Sequence, residues 1–77
     1  MLLTVEIKDG AKAGVAEAAF CFDDEGLEFL IEKLTHLRGK RDHEHLMTPS
    51  WAGSELTEMK QGGEEYELVN HLRLVKI

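Results

Sequence analysis

The chain is 77 residues long, with 43% hydrophobic and 31% charged residues and a formal charge of −6 from nine basic and fifteen acidic side chains. That length makes a single domain, residues 1–77, around one small core, and the composition excludes a disordered chain. The acidic balance argues against binding a nucleic-acid backbone, which needs clustered Lys and Arg to replace counterions, and favours solubility or a cationic partner.

One cysteine, Cys21, cannot close an internal disulfide. The start of the chain has no basic segment leading into an apolar one. No apolar run approaches membrane-spanning length, so a cytoplasmic location is expected and no membrane partner. So small a core is also compatible with a homodimer that buries a further face.

Taken in order, Leu2 to Lys8 alternates, with Leu3, Val5 and Ile7 on one side and Thr4, Glu6 and Lys8 on the other. This period predicts a half-buried strand. Asp9-Gly10 and the Ala11–Gly14 stretch predict a turn. A second strand over Val15 to Phe22 then completes a hairpin, with Ala16, Ala18, Phe20 and Phe22 toward the core and Glu17, Ala19 and Cys21 opposite. Asp23 and Asp24 supply an N-cap and a negative first turn. Leu27, Leu30, Ile31, Leu34 and Leu37 recur at helical spacing, which predicts a helix over Asp24 to Arg38 with Gly39 ending it.

A third strand is expected over His43 to Thr48. Leu46 faces its core, and His43, His45 and Met47 project from the other side. Pro49 has no amide hydrogen for a ladder, so Ser50-Trp51-Ala52-Gly53 reads as a turn. Ser54–Lys60 is ambiguous between a short strand and an irregular segment, and Gln61–Glu65 reads as an acidic loop. Tyr66 to Val69 leads into a last strand over Asn70 to Lys76, with Leu72 and Leu74 on one side and His71, Arg73 and Val75 on the other.

The fold class these elements predict is α+β: two layers, one helix packed on a mostly antiparallel sheet, in the order β-β-α-β-(β)-β. A single helix covers one face of such a sheet. The other face is then expected to be open and to carry Thr4, Glu6, His43, His45, Met47, His71 and Arg73.

Three constellations bear on function. His43 and His45, two apart on a strand, point the same way, and His71 from a neighbouring strand can join them. Three imidazoles are a donor set for a divalent transition metal, and equally an ordinary set of surface histidines. His36, on the helix, stands apart. For catalysis there is no carboxylate pair with a reason to share a proton, no base set beside Cys21, and no phosphate loop, since Gly62-Gly63 lacks a trailing Lys and a following helix. The expectation is a non-enzyme without a cofactor. Trp51 is either a core plug at the end of the sheet or an exposed anchor for a partner.

The run His45-Leu46-Met47-Thr48-Pro49-Ser50-Trp51-Ala52-Gly53-Ser54-Glu55-Leu56-Thr57-Glu58 has an unusual concentration of special residues in fixed order. With Asp-Glu-Gly-Leu-Glu-Phe-Leu-Ile at residues 24–31 and Val69-Asn70-His71-Leu72, it resembles the immunity protein 32 family of bacterial polymorphic toxin systems. Ala52 stands where that resemblance leads one to expect Gly. The resemblance implies an immunity protein that binds a cognate toxin stoichiometrically and performs no catalysis. Opposite charge on a basic toxin would then speed encounter. The residues expected at the partner are His43, His45, Trp51, Glu55, His71 and Arg73. The rival readings are a small metal-binding protein or metalloenzyme using His43, His45 and His71, and a homodimeric structural domain.

Overall fold

The computed structural model describes residues 1–9 and 16–77; the turn read at Asp9-Gly10 and Ala11–Gly14, and the start of the second strand at Val15, lie largely outside them. The elements are β1 (Leu3–Lys8), β2 (Glu17–Phe22), α1 (Asp24–Thr35), β3 (Asp42–Met47), a 3₁₀ turn (Pro49–Trp51), β4 (Tyr66–Leu68) and β5 (His71–Lys76). The α+β class and the antiparallel pairing follow the sequence reading.

The single sheet does not: there are two, β2-β1-β4 and β3-β5. The continuous-looking run from Tyr66 to Lys76 is divided at Val69-Asn70. Val69 N–H still donates to Val5 C=O at 2.8 Å, whereas Asn70 C=O already accepts from Thr48 N–H at 3.0 Å. One peptide step therefore carries the chain from the edge of β1 to the end of β3.

α1 begins where the acidic residues predict. The Asp23 carboxylate accepts from Gly26 N–H at 2.8 Å, and Asp24 and Glu25 occupy the positive end of the dipole. It ends earlier than its apolar period suggests. After Thr35 the turns tighten, with Leu37 N–H donating to Leu34 C=O and Arg38 N–H to Thr35 C=O, before Gly39 reverses the chain at φ 70°.

The core is Leu3, Val5, Leu30, Leu46 and Leu56, with Phe29, Val69, Leu72 and Leu74 packed against it. It gathers one face of each sheet, the inner side of α1, and a plug from the irregular segment after Trp51. That segment is stitched to both sheets: Leu56 N–H donates to Met47 C=O, and Thr57 N–H to Leu3 C=O.

Two expectations about burial are corrected. Thr4 and Glu6 do not lie on an open face; both are 0% exposed. The Glu6 carboxylate accepts from Thr4 Oγ1 (2.6 Å), Gln61 N–H (2.8 Å) and Gly62 N–H (2.7 Å), which draws residues 61 and 62 down over the strand. Burial by itself raises the Glu6 pKa. The hydrogen bonds from Thr4, Gln61, Gly62 and Cys21 outweigh it and hold the carboxyl below its usual range. The acidic loop thus begins on a buried anion. Conversely, Phe20 and Phe22 share the core face with Leu3 and Val5 by register, yet are 41% and 44% exposed, because β2 is the sheet's edge. Leu27, Ile31 and Leu34 are exposed as well, so the helix's apolar stripe is wider than the surface it covers. Among the described residues no helix is long and apolar enough to cross a membrane.

Candidate functional site

The β3/β5 ribbon pairs His43 with Val75, His45 with Arg73, Leu46 with Leu72 and Met47 with His71. Residues directly opposite share a face. Leu46 and Leu72 therefore enter the core, and His43, His45, Met47, His71, Arg73 and Val75 share the outer face. Diagonal neighbours across the ribbon come within reach. His45 Nδ1 and His71 Nε2 lie 2.8 Å apart, a hydrogen bond in which one ring donates to the other. Their centroids are 5.0 Å apart, and the His43 ring meets His45 edge-on at 4.8 Å.

Such a bond needs a bare nitrogen on one ring, so it cannot form between two imidazolium ions. Desolvation lowers the His45 pKa first, and the neighbouring His43, His71 and Arg73 lower it further, against a small opposing pull from Glu44. Glu44 itself faces away, its carboxylate 3.3 Å from His36 Nδ1. His36 thus stands apart from the cluster, as its place on the helix predicts.

Trp51 completes the face. It is 55% exposed, so it is not a core plug, and its ring lies 6.1 Å from His71. The turn beneath it is built from polar contacts. Trp51 N–H and Gly53 N–H both donate to Thr48 C=O at 2.9 Å, and Ala52 takes the left-handed conformation at φ 63°. The buried Thr48 hydroxyl donates to Asn70 Oδ1 at 2.7 Å. Ser50 N–H donates to Glu58 Oε1 at 2.8 Å.

Glu55 is placed differently from the rest of the expected set. Its carboxylate accepts from Met47 N–H at 2.9 Å and from the backbone and hydroxyl of Ser54. The Met47 bond chiefly, against a desolvation cost and with help from Ser54, holds its pKa below the ordinary range. Glu55 is thus spent on the turn. The structure brings together His43, His45, Trp51, His71 and Arg73 on one surface and sets Glu55 beneath its margin. Sequence reasoning missed Thr48, Asn70 and Glu58, which position Trp51; their only signal was the density of side chains able to bond backbone around Pro49.

Among the described residues no group of three or more His, Cys, Asp or Glu side chains is arranged to hold a metal ion. Cys21 belongs to the other sheet, beside Glu6. Chemically, the face offers ring surfaces, imidazole donors and acceptors, and one guanidinium. No family model, no curated protein and no solved structure matches the chain.

Proposed function

We propose that this protein is a binding module that neutralises a cognate toxin by stoichiometric association, as the resemblance to the immunity protein 32 family implies. The observation that carries the reading is Trp51: an exposed indole, 6.1 Å from a stack of imidazoles, held by a hydrogen-bonded turn rather than left on a loose loop. Aromatic anchors fixed in advance lose little conformational entropy on binding, and Trp, Tyr and Arg dominate binding hot spots.

Charge divides its work by distance. The chain's net −6 draws in a basic toxin from afar. The contact surface carries only Arg73 as a permanent charge, so it engages by stacking and by hydrogen bonds from His43, His45 and His71. This reading makes the protein a non-enzyme, acting where its toxin acts, in the cytoplasm.

The test is co-expression with the toxin domain encoded by the adjacent open reading frame. The chain relieves growth inhibition, and Trp51→Ala weakens the complex roughly a hundredfold, a loss of hot-spot size. Failure of the wild-type chain to rescue growth removes the function. Full rescue and full affinity in the Trp51→Ala, His45→Ala double variant removes the surface.

A further inference from the structure

A separate opportunity lies in the edge of the three-stranded sheet. Along β1, Leu3 C=O accepts from Thr57 N–H and Val5 C=O from Val69 N–H, so its odd-numbered residues bond away from β2. Asp23 N–H donates to Leu2 C=O, so in this register β2 turns the backbone groups of Glu17, Ala19 and Cys21 toward β1. The backbone groups of Ala18, Phe20 and Phe22 therefore point outward, and no described strand pairs with them. Edge strands are ordinarily blunted by Lys, Pro or a bulge. Glu17-Ala18-Ala19-Phe20-Cys21-Phe22 has none of these, and its single charge sits at one end.

We propose that β2 pairs antiparallel with β2 of a second copy across a two-fold axis, with Phe20 opposite Phe20, joining two three-stranded sheets into one of six strands. What selects a second copy is self-complementarity. Centred on Phe20, the pairing uses all three outward-facing residues of each strand, for about six backbone hydrogen bonds. On the core face it sets the small Ala18 against the large Phe22 of the other copy, so the ring fills space that a second large residue would contest. It also covers Phe20 and Phe22, which at 41% and 44% exposure are the two apolar rings the fold leaves bare on this strand. With both copies related by a two-fold axis, the contact is isologous and closes at the dimer rather than growing into a fibre. The same register places Glu17 opposite Asp23 of the second copy, a like-charge pair at the ends of the ribbon that salt screens. The β3/β5 face takes no part, so the proposal stands apart from the toxin reading.

Sedimentation of the whole chain across a concentration series tests it. The expected result is a mass twice the 8.7 kDa of one chain at high micromolar concentration, tightening with added salt. Phe20→Lys, at an exposed position, returns the mass to that of one chain, with thermal unfolding equal to that of wild type at concentrations where wild type is a monomer. A second measurement does not depend on that variant: Ala19→Cys lies opposite Cys21 of the other copy and gives an oxidant-dependent, reductant-reversible dimer. The same substitution in a Cys21→Ser background gives none. A wild-type chain that remains at 8.7 kDa throughout overturns the proposal. So does a dimer that salt dissolves, or one that Phe20→Lys leaves intact.

Discussion

The outer face of β3/β5 and the outer edge of β2 expose aromatic surface to similar degrees, 55% at Trp51 against 41% and 44% at Phe20 and Phe22, but by opposite means. Trp51 stands on a turn whose backbone amides are satisfied from below by Thr48, Asn70, Glu55 and Glu58. Phe20 and Phe22 stand on backbone groups with no described strand beside them. Apolar exposure alone does not separate a presented side chain from an unpaired strand. The polar groups beneath it do. In one region they are consumed internally, which fixes a side chain for something of different shape; in the other they face outward, which invites another strand.

The largest effect expected from breaking this contrast is at Gly53. A Cβ there would lie 2.4 Å from Met47 C=O and 2.5 Å from Met47 Cβ, atoms of strand β3 that cannot swing aside. Gly53→Ala should cost about 2–3 kcal/mol by forcing the turn away from β3. It should also weaken toxin binding without removing one contact side chain. Trp51 is the sole tryptophan, so denaturant melts and its fluorescence report both consequences, while the β2 dimer constant stays fixed. Unchanged stability and an unchanged emission maximum would mean that the turn is pliable, and the contrast between a built surface and a bare one would fall.

Much of this arrangement is legible in the sequence, and the gaps have physical causes. Alternation placed His43, His45, His71 and Arg73 outside and Leu46, Leu72 and Leu74 inside, because a strand that buries one face declares its register residue by residue. Asp23 marked the start of α1 because capping is local chemistry. What escaped depends on distant segments. Glu6 reads as an outward strand residue, and only the amides of Gln61 and Gly62, more than fifty positions later, explain its burial. The period of α1 marks Leu27, Ile31 and Leu34 as core, but a period does not say how wide the covering surface is. The break at Val69-Asn70 falls where the chain reads as extended on both sides, and only the choice of hydrogen-bond partner changes. Trp51 could not be placed at all, since the same turn is able to aim an indole inward or outward.

Protonation probes the two regions differently. Desolvation first, then His43, His71 and Arg73, hold the His45 pKa below its ordinary 6.5. A folded-state pKa depressed in this way contributes stability that is fully present above about pH 6.5 and is lost as pH falls through the lower folded value. Protonation also leaves His45 able only to donate to His71 and adds positive charge beside Arg73. Affinity for a basic toxin should therefore fall several-fold from about pH 7.5 to about pH 5.5. Across the same interval the β2 dimer should hold, since β2 carries no histidine. Binding measured at both ends of that range, with His45→Gln as the control, checks the assignment. A pH dependence of equal size in His45→Gln would place the titrating group elsewhere.

The smallest effect is the most discriminating, because it separates the stability of the turn from its presentation of Trp51. Ala52 sits at φ 63°, ψ 23°, where a Cβ costs about 1 kcal/mol that glycine avoids. Glycine is also what the resemblance leads one to expect there. Ala52→Gly relieves that strain but adds freedom to the unfolded chain, offsetting about half of the gain, so a net stabilisation of about 0.5 kcal/mol is expected. Toxin affinity need not follow. If it rises with stability, the alanine was distorting the turn and Trp51 was held slightly off its best position. If affinity falls while the melting temperature rises, the alanine was restricting the approach of Trp51 to the imidazole stack, and the strain at residue 52 serves the binding surface rather than the fold. Melting and affinity measured on the same Ala52→Gly sample decide between a turn that merely holds its tryptophan and one that aims it.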